Sequence, residues 1–420
     1  MFDCWGLVHE PKLRILKAAE VEEFKPLRVA VVGGAGHVGL PLSLVLADRG
    51  HSVLVVDKDA AKLEAIQAGE FPFLETGGPE LLRRCLKSKP ISFTTSVSAV
   101  SDCEVIIITI GTPVNEHLNP CFSVVQSCMR ELSPHLRQGQ TLLLRSTLFP
   151  GSSQRILADL PPKISVSFCP ERIAQGKALE ELTKLPQIIS GSDSQALEHA
   201  KALFGLLKVD LIEMELQEAE VAKLFLNAWR YVEFGTANQF YHIAISKGLD
   251  FDRLRAAVVH RYPRAASFPR SGFTAGPCLF KDTMQLAAYC RHTFSIGHAA
   301  MLVNETMPDA LLEQAKRNLS GVSCGILGMA FKPNNDDWRE SLAFKLRRLL
   351  LWEGAKVLCT DVYMKREGFV TLERVLAESE LLFLGCPHSE YQNITLRPDQ
   401  RLFDCWGFFR KPALTIRTGS

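Results

Sequence analysis

Two segments of the chain combine residue types at spacings that could do chemistry. The first is GAGHVG, in which Gly34, Gly36 and Gly39 follow an apolar run at residues 29–32, with Asp57 about twenty residues later. We expect Gly34 to allow a tight turn, Gly36 to let backbone approach a pyrophosphate, and Gly39 to let a helix pack against the strand. Helix N–H groups would bind the phosphates. The Asp57 carboxylate would accept a hydrogen bond from a ribose hydroxyl and would repel a 2′-phosphate. This segment predicts an NAD site, although the neighbouring cation Lys58 keeps NADP open.

The second segment is GPCLFKD, which places a cysteine where a loop enters a helix. Cys278 would gain thiolate character from the helix N-terminus and from a nearby cation, and Lys281 and Asp282 follow within one turn. The alternative is a buried structural thiol, as expected for most of the 12 cysteines. No C-x-x-C pair occurs, so the sequence predicts no metal site.

Three further segments lie just after apolar runs that predict strands. They contain Thr112 after residues 105–110, Thr147 after residues 141–145, and Glu171 after residues 165–168. Loops at the carboxyl ends of parallel strands form the ligand crevice of an open α/β sheet. The hydroxyl residues could equally serve ordinary turns. Glu171 could be a catalytic base or a solvated loop charge.

These segments sit in an alternating pattern of strands and helices. Short apolar runs predict a doubly wound parallel sheet to about residue 205, a long helix covers about residues 217–247, and a second α/β block starts near residue 322 with strands at 324–327, 356–359 and 381–384. We therefore predict an α/β fold of two Rossmann-like doubly wound parallel-sheet domains joined by a long central helix. The predicted divisions are residues 1–26, 27–205, 206–310 and 311–420.

Composition and charge exclude several classes of protein. The 420 residues are 47% hydrophobic and 22% charged, as in globular proteins of two or three domains. Lys and Arg total 48 and Asp and Glu 46, which gives no case for a nucleic-acid or membrane partner. The first residues do not resemble a signal peptide, and the longest apolar run, 105–110, is too short to span a bilayer. A cytoplasmic location is expected.

A five-residue repeat has no evident chemistry. FDCWG occurs at residues 2–6 and again at residues 403–407. We interpret it as a duplicated strand end or terminal extension.

Seven segments in order resemble the UDP-glucose/GDP-mannose dehydrogenase family, the NAD-dependent nucleotide-sugar 6-dehydrogenases. The resemblance covers residues 27–407 and leaves the first 26 residues without a counterpart. The segments are VGGAGHVGLPL with Asp57, GTPVNEHLNP, RSTLFPG, CPERIAQGKALEEL, EAEVAKLFLNAWRY, GPCLFKDT and GMAFKPNNDDWRES.

The resemblance implies a reaction and assigns catalytic residues. A first hydride transfer to NAD would give a C6 aldehyde, which Cys278 traps as a thiohemiacetal. A second would give a thioester, and water would release the acid. Lys223 would stabilise the oxyanion, with Asn227 one helical turn further on. Thr147 and Asp282 would organise water and proton transfers, and Glu171 is the candidate acid/base.

The resemblance also implies the ligands and their partners. Residues 27–205 would bind NAD, residues 206–310 would carry the cysteine loop and a homodimer interface, and residues 311–420 would bind a UDP-sugar. The cofactor-binding residues would be Gly34, Gly36, His37, Val38, Gly39, Asp57, Thr112, Thr147 and Lys281. The substrate-binding residues would be Glu171, Arg172, Lys223, Asn227, Arg264, Gly276, Lys332 and Arg339.

Some details of the resemblance stay open. Arg172 after Glu171 is more similar to members acting on UDP-N-acetylhexosamines than to those acting on UDP-glucose. One of Arg261, Arg264 and Arg270 would reach the partner subunit, and Pro277 before the cysteine departs from many relatives. Two other readings remain: a two-electron hydroxyacid dehydrogenase of the 6-phosphogluconate type, which lacks a second Rossmann-like half, and a nucleotide-binding scaffold without catalysis.

Overall fold

The computed structural model describes residues 13–20, 25–88, 91–115, 121–274, 276–291, 293–315 and 318–409. The chain divides into two compact units, Met1–Leu224 and Phe225–Ser420, and the division falls inside the long predicted helix. Within the described ranges no helix is long and apolar enough to cross a bilayer.

The first unit alternates short strands with helices. Its elements are β1 (Arg14–Leu16), β2 (Arg28–Val32), α1 (Gly39–Asp48), β3 (Ser52–Val56), α2 (Ala60–Gln67), α3 (Gly78–Ser88), β4 (Ile91–Thr94), β5 (Val105–Ile108), α4 (Phe122–Leu132), β6 (Thr141–Leu144), α5 (Ser152–Asp159), β7 (Ser165–Phe168), α6 (Ala178–Leu182), β8 (Gln187–Ile189), α7 (Ser194–Gly205) and β9 (Leu211–Glu213). Then α8 (Leu216–Ser246) begins, one residue before the predicted start.

Six of these strands form one parallel sheet in the order β4-β3-β2-β5-β6-β7. β5, β6 and β7 are buried along their whole length, as their apolar runs predict for strands covered on both faces. The strand order reverses between β2 and β5, which is the switch point where doubly wound sheets bind ligands. The predicted α/β class is confirmed.

A second, three-stranded sheet was not predicted. Its order is β1-β9-β8, and β1 runs antiparallel to β9 with Arg14 opposite Glu213. Arg14 Nη1 lies 2.8 Å from Glu213 Oε1, and Lys17 Nζ lies 3.0 Å from Asp210 Oδ2. β1 belongs to the first 26 residues, so part of that extension is built into the sheet.

The second unit contains helices followed by a smaller sheet. Its elements after α8 are α9 (Phe251–Val259), α10 (Leu279–Tyr289), α11 (Ser295–Glu305), α12 (Met307–Glu313), β10 (Ser323–Leu327), α13 (Leu342–Trp352), β11 (Lys356–Thr360), α14 (Leu372–Glu378), β12 (Leu381–Leu384) and β13 (Arg401–Phe403). The sheet is parallel in the order β11-β10-β12-β13. β13 was not predicted, because three residues carry too little periodicity.

Each unit has an acid at the end of the second strand of its β-α-β unit. In the first, Asp57 Oδ2 accepts the N–H of Ala35 at 3.0 Å. In the second, Asp361 Oδ2 accepts the N–H groups of Met329 and Ala330. Asp361 differs because its Oδ2 also lies 3.0 Å from Nε2 of His388, and both side chains are fully buried.

The second copy of FDCWG anchors a loop. Trp406 Nε1 donates to the carbonyl of Leu384 at 3.1 Å, and Ser271 Oγ donates to the carbonyl of Cys405 at 2.6 Å. The Trp406 ring covers Gly272, where a Cβ would come within 2.3 Å of it. This segment therefore fixes the loop that leads to Cys278. The first copy, residues 2–6, lies outside the described residues.

Candidate active site

The glycine-rich turn between β2 and α1 is built by close backbone contacts. Its left-handed residue is Gly33, with φ +77°, which the sequence did not single out. A Cβ on Gly34 would lie 2.6 Å from the carbonyl oxygen of Val31, and one on Gly39 would lie 2.5 Å from that of Gly33. Gly34 thus has no space for a side chain in the tight turn after β2, and Gly39 has none where α1 meets that turn. A Cβ on Gly36 would lie 3.3 Å from the carbonyl oxygen of Gly33, which is a tight contact but a less severe one.

A cleft of about 670 Å³ opens beside this turn, and Gly36 and Asp57 line it. The carboxylate of Asp57 is oriented by two backbone N–H groups, those of Ala35 at 3.0 Å and of Asp59 at 3.1 Å. Lys58, the cation that kept NADP open, donates to Oε1 of Glu131 at 2.8 Å. That hydrogen bond raises the pKa of Lys58. The cation is thus already paired with a carboxylate, which favours a ligand with an unphosphorylated ribose.

Two predicted cofactor residues follow Gly36. His37 stacks on Phe73 with ring centroids 4.1 Å apart, and Val38 is the N-cap residue of α1. Its backbone thus belongs to the helix N-terminus that offers N–H groups to an anion.

The loops after β5 and β6 are joined by side-chain hydrogen bonds. Thr112 Oγ1 donates to the carbonyl of Thr147 at 2.7 Å, and Ser146 Oγ donates to that of Ile110 at 2.7 Å. The two predicted threonines therefore lie together at the carboxyl edge of the sheet.

Glu171 is neither a solvated charge nor an unencumbered base, because it belongs to a buried ion pair. Its Oε2 accepts from Arg145 Nε at 3.0 Å and Nη2 at 2.6 Å. Its Oε1 accepts the N–H groups of Arg172 at 2.6 Å and Ile173 at 2.9 Å. Arg145 is fully buried and also donates to the carbonyl of Cys169 and to Gln187. Both carboxylate oxygens are therefore used to fix the loop after β7.

Arg172 is bonded within the protein. Its Nη2 donates to the carbonyl of Pro186. Burial, and then repulsion by Arg145, lower the pKa of this guanidinium. Its guanidinium is thus held by backbone, which leaves the substrate role predicted for it without support.

Glu220 was missed although it lies within a motif quoted from the sequence. It reaches from α8 to the N-terminus of α5, where its oxygens accept from the N–H of Gly151 at 2.6 Å and from the N–H and Oγ of Ser153 at 2.8 and 2.6 Å. Burial raises the pKa of Glu220. It holds the end of the RSTLFPG loop. Lys223, one turn along the helix, is buried, with 9% of its surface exposed.

In the second unit, three predicted residues meet at a buried carboxylate. Asp282 is completely buried. Its Oδ2 accepts from Asn227 Nδ2 at 2.5 Å, and its Oδ1 lies 3.1 Å from Lys281 Nζ. Lys281, predicted to bind the cofactor, is therefore an ion-pair partner of Asp282.

Cys278 occupies the N-cap position of α10, and its carbonyl accepts the N–H of Asp282 at 2.9 Å. Of the eleven cysteines in the described part of the chain, Cys278 alone is exposed. The alternative of a buried structural thiol is therefore excluded. Gly276 adopts φ +101°, and a Cβ there would lie 2.5 Å from the ring of Phe331. This glycine is needed for the close approach of the cysteine loop to Phe331.

The remaining predicted substrate residues are cationic. Arg339 forms a fork with Asp337, with Nε to Oδ1 at 3.0 Å and Nη2 to Oδ2 at 2.6 Å. Lys332 is half-buried in the same segment. Arg264 is exposed in the turn Pro263–Ala265 and stacks on Tyr262 at 5.1 Å. Among the described residues, no group of three His, Cys, Asp or Glu side chains could hold a metal ion.

Three family models match the chain in order. They describe the NAD binding domain at residues 27–208, the central domain at 217–306 and the UDP binding domain at 325–411 of one family. The chain belongs to the UDP-glucose/GDP-mannose dehydrogenase family. Like other members of this family, it is an NAD-dependent nucleotide-sugar dehydrogenase, which confirms the predicted enzyme class and cofactor.

Individual members of this dehydrogenase family cover most of the chain. A UDP-N-acetyl-D-mannosamine dehydrogenase of Methanococcus maripaludis is 27% identical over 380 residues, 87% of each protein. A UDP-glucose dehydrogenase structure from Pyrobaculum islandicum has a TM-score of 0.84 at 27% identity, covering 92% of this chain and 96% of that one. A UDP-D-ManNAc dehydrogenase structure from Pyrococcus horikoshii has a TM-score of 0.81 at 25% identity, covering 88% and 91%.

Proposed function

We propose that the protein oxidises the C6 hydroxymethyl group of a UDP-sugar to a carboxylate in two steps, using Cys278 as the nucleophile. The balanced reaction consumes R–CH2OH, two NAD+ and water, and yields R–COO−, two NADH and three protons. The observation that carries it is an exposed cysteine at the start of α10, one helical turn before a buried Asp282 bonded to Asn227 and Lys281.

The residues of the first unit fit the cofactor. Gly36 lines the cleft without a side chain just before α1, and Asp57 presents an oriented carboxylate to the same cleft. NAD, when bound, accepts hydride. Thr112 and Thr147 would then line its reactive end, because they follow the central strands.

The protein's own residues supply the remaining chemistry. The Cys278 thiolate adds to the aldehyde carbon to form a thiohemiacetal, and its sulfur leaves when water attacks the thioester. Lys223 would stabilise the oxyanion that forms on oxygen. Asp282, oriented by Asn227, would hold the attacking water. We assign no proton transfer to Glu171, because its oxygens already accept four hydrogen bonds.

The stoichiometry of the reaction tests the proposal. Two NADH per acid formed are expected, and Cys278→Ser should lower acid formation on the order of 10³-fold or more. Cys290→Ser, which alters a half-buried cysteine at the other end of α10, is the matched control and should keep full activity. Lys223→Ala should cost roughly 10²–10³ in kcat. One NADH per turnover would instead indicate a two-electron dehydrogenase, and binding of NAD and UDP-sugar without turnover would indicate a scaffold.

For the sugar, we propose a UDP-N-acetylhexosamine. The support is the match to a UDP-N-acetyl-D-mannosamine dehydrogenase over 87% of the chain. Initial NADH rates with UDP-ManNAc, UDP-GlcNAc, UDP-glucose, UDP-galactose and GDP-mannose decide the choice. A kcat/KM highest for UDP-glucose would refute it.

We further propose a homodimer formed through α8. One side of this helix exposes Phe225, Trp229, Phe240 and Ile243, each with about half or more of its surface accessible. Large apolar side chains in a row mark an interaction surface. Trp229→Glu should halve the mass measured by light scattering. Trp352→Glu, at an exposed site on α13, is the control and should leave the mass unchanged. A monomeric unaltered protein would refute the dimer. In the dimer, Arg264 would be the loop arginine that reaches the partner's site.

A further inference from the structure

The cysteine loop is docked on the segment between β10 and α13. The N–H of Gly276 donates to the carbonyl of Glu340 at 3.3 Å, and the Cα of Gly276 lies against the ring of Phe331. The N–H of Phe331 in turn donates to the carbonyl of Asp337 at 3.0 Å. Two residues before the nucleophile, the loop is thus tied to both ends of this segment.

The backbone of that segment is held in an uncommon conformation. Glu340 has φ +54°, a left-handed conformation that non-glycine residues rarely adopt. This conformation directs its carbonyl to Gly276. The residue immediately before it is Arg339, so the turn sets the backbone of this arginine beside the cysteine loop.

Arg339 itself is clamped by Asp337. Its N–H and Nε both donate to Oδ1 at 3.0 Å, and its Nη2 donates to Oδ2 at 2.6 Å. The Asp337 side chain is buried, whereas that of Arg339 is half exposed. A clamped arginine loses little further freedom when it meets an anion.

The charges of Arg339 and Cys278 interact. The pKa of Arg339 is raised, first by the hydrogen bond to Asp337 and also by the negative charge of the Cys278 thiolate. An opposite charge beside a thiol favours its ionised form. The N-terminus of α10 acts in the same direction.

The other charged groups of the cysteine loop and its docking segment include Lys281, Lys332, Asp337 and Glu340. Lys281 is paired with the buried Asp282 at 3.1 Å, so its charge is largely compensated. Glu340 and Asp337 are acidic and oppose a thiolate. We propose that Arg339, positioned by Asp337, stabilises the thiolate of Cys278, in addition to any contact with the nucleotide. This inference rests on the proposed function of Cys278 as nucleophile.

The rate at which iodoacetamide alkylates Cys278 tests this inference. It is measured between pH 5 and 10 on the full chain, without NAD or substrate. Trypsin releases residues 271–281, SGFTAGPCLFK, whose only cysteine is Cys278, and residues 282–291, whose only cysteine is Cys290. Mass spectrometry therefore follows the nucleophile and an internal reference in one sample.

Arg339→Gln should move the alkylation midpoint of Cys278 upward by about one pH unit, the lower end of the effect of a nearby opposite charge. Arg339→Lys, which keeps the charge but loses the fork, and Asp337→Asn, which releases the clamp, should move it by less. If circular dichroism shows that Arg339→Gln does not fold, Arg339→Lys and Asp337→Asn still test the inference. Arg366→Gln is the matched control, because Arg366 stacks on Trp338 at 4.0 Å in the same unit.

An unchanged midpoint in Arg339→Gln would overturn the inference, and so would an equal shift in Arg366→Gln. Because the assay needs no turnover, either result leaves the proposed dehydrogenase reaction to be judged separately. An unchanged midpoint with a raised KM for the UDP-sugar would assign Arg339 to the nucleotide alone.

Discussion

Replacing Arg145 by Met should destabilise the first unit through the carboxylate that it leaves behind. The Arg145 side chain is fully buried and that of Glu171 is 10% exposed, with Nη2 and Oε2 2.6 Å apart. Removing one partner of such a pair leaves a buried charge, at a cost of about 3–5 kcal/mol. The loss also removes the stacking of the guanidinium on Phe204 at 4.7 Å. We expect Arg145→Met to lower the free energy of unfolding by about 4 kcal/mol.

A double-mutant cycle separates this charge effect from lost packing. Glu171→Gln in the Arg145→Met background removes the orphaned charge and keeps an acceptor for the two loop N–H groups, so we expect a coupling of about 2 kcal/mol or more. Urea unfolding is followed by far-ultraviolet circular dichroism. Arg84→Met is the matched control, since Arg84 and Asp48 form an exposed pair at 2.8 Å worth less than about 1 kcal/mol. A coupling below about 0.5 kcal/mol would refute the argument.

Three further changes have defined outcomes. Gly272→Ala should lower the free energy of unfolding in urea by about 1–3 kcal/mol, because its Cβ would lie 2.3 Å from the Trp406 ring. Gly139→Ala is the control, because Gly139 is left-handed but has open space around it, so only the backbone conformation contributes. Asp57→Ser removes the repulsion between the carboxylate and a 2′-phosphate, worth ~1 kcal/mol. The ratio of kcat/KM with NAD to kcat/KM with NADP should therefore fall roughly fivefold. An unchanged ratio would contradict the role assigned to Asp57. Burial raises the pKa of Asp361, but hydrogen bonds from His388 and backbone N–H groups outweigh it and leave the pKa lowered. The stabilisation by ionised Asp361 is therefore present above pH ~4 and is lost as the pH falls. Asp361→Asn should make the free energy of unfolding depend less on pH in the acid range, with unfolding followed by tryptophan fluorescence.

The features predictable from sequence were those written in local patterns. Apolar runs located β2, β5, β6, β7, β10 and β12 to within two residues, because a strand buried on both faces needs a continuous run. The glycine pattern located the turn into α1 in the same way. It did not single out Gly33, whose φ is positive, since spacing alone does not show which glycine adopts a left-handed conformation.

The features that escaped prediction depend on partners distant in the chain. Arg145 and Glu171 are 26 residues apart, and Glu220 caps a helix that begins 68 residues earlier, so neither contact has a local signal. β1 and β13 have three residues each, too few for a period. Glu171 and Arg172 both follow a strand, so from sequence either charge could have faced a ligand. The structure shows that both side chains are hydrogen-bonded within the protein.

The contact between Asp361 and His388 bears on how many cofactors one chain can carry. His388 Nδ1 accepts the N–H of Asn334 at 3.0 Å, so its Nε2 carries the proton and donates it to Asp361. The imidazole thus uses the carboxylate oxygen of Asp361 that could otherwise accept a hydrogen bond from a ribose hydroxyl. The second Rossmann-like sheet therefore lacks an available carboxylate oxygen at this position for recognising the ribose of a dinucleotide. Equilibrium dialysis should accordingly find one NAD per chain, despite two sheets of related design.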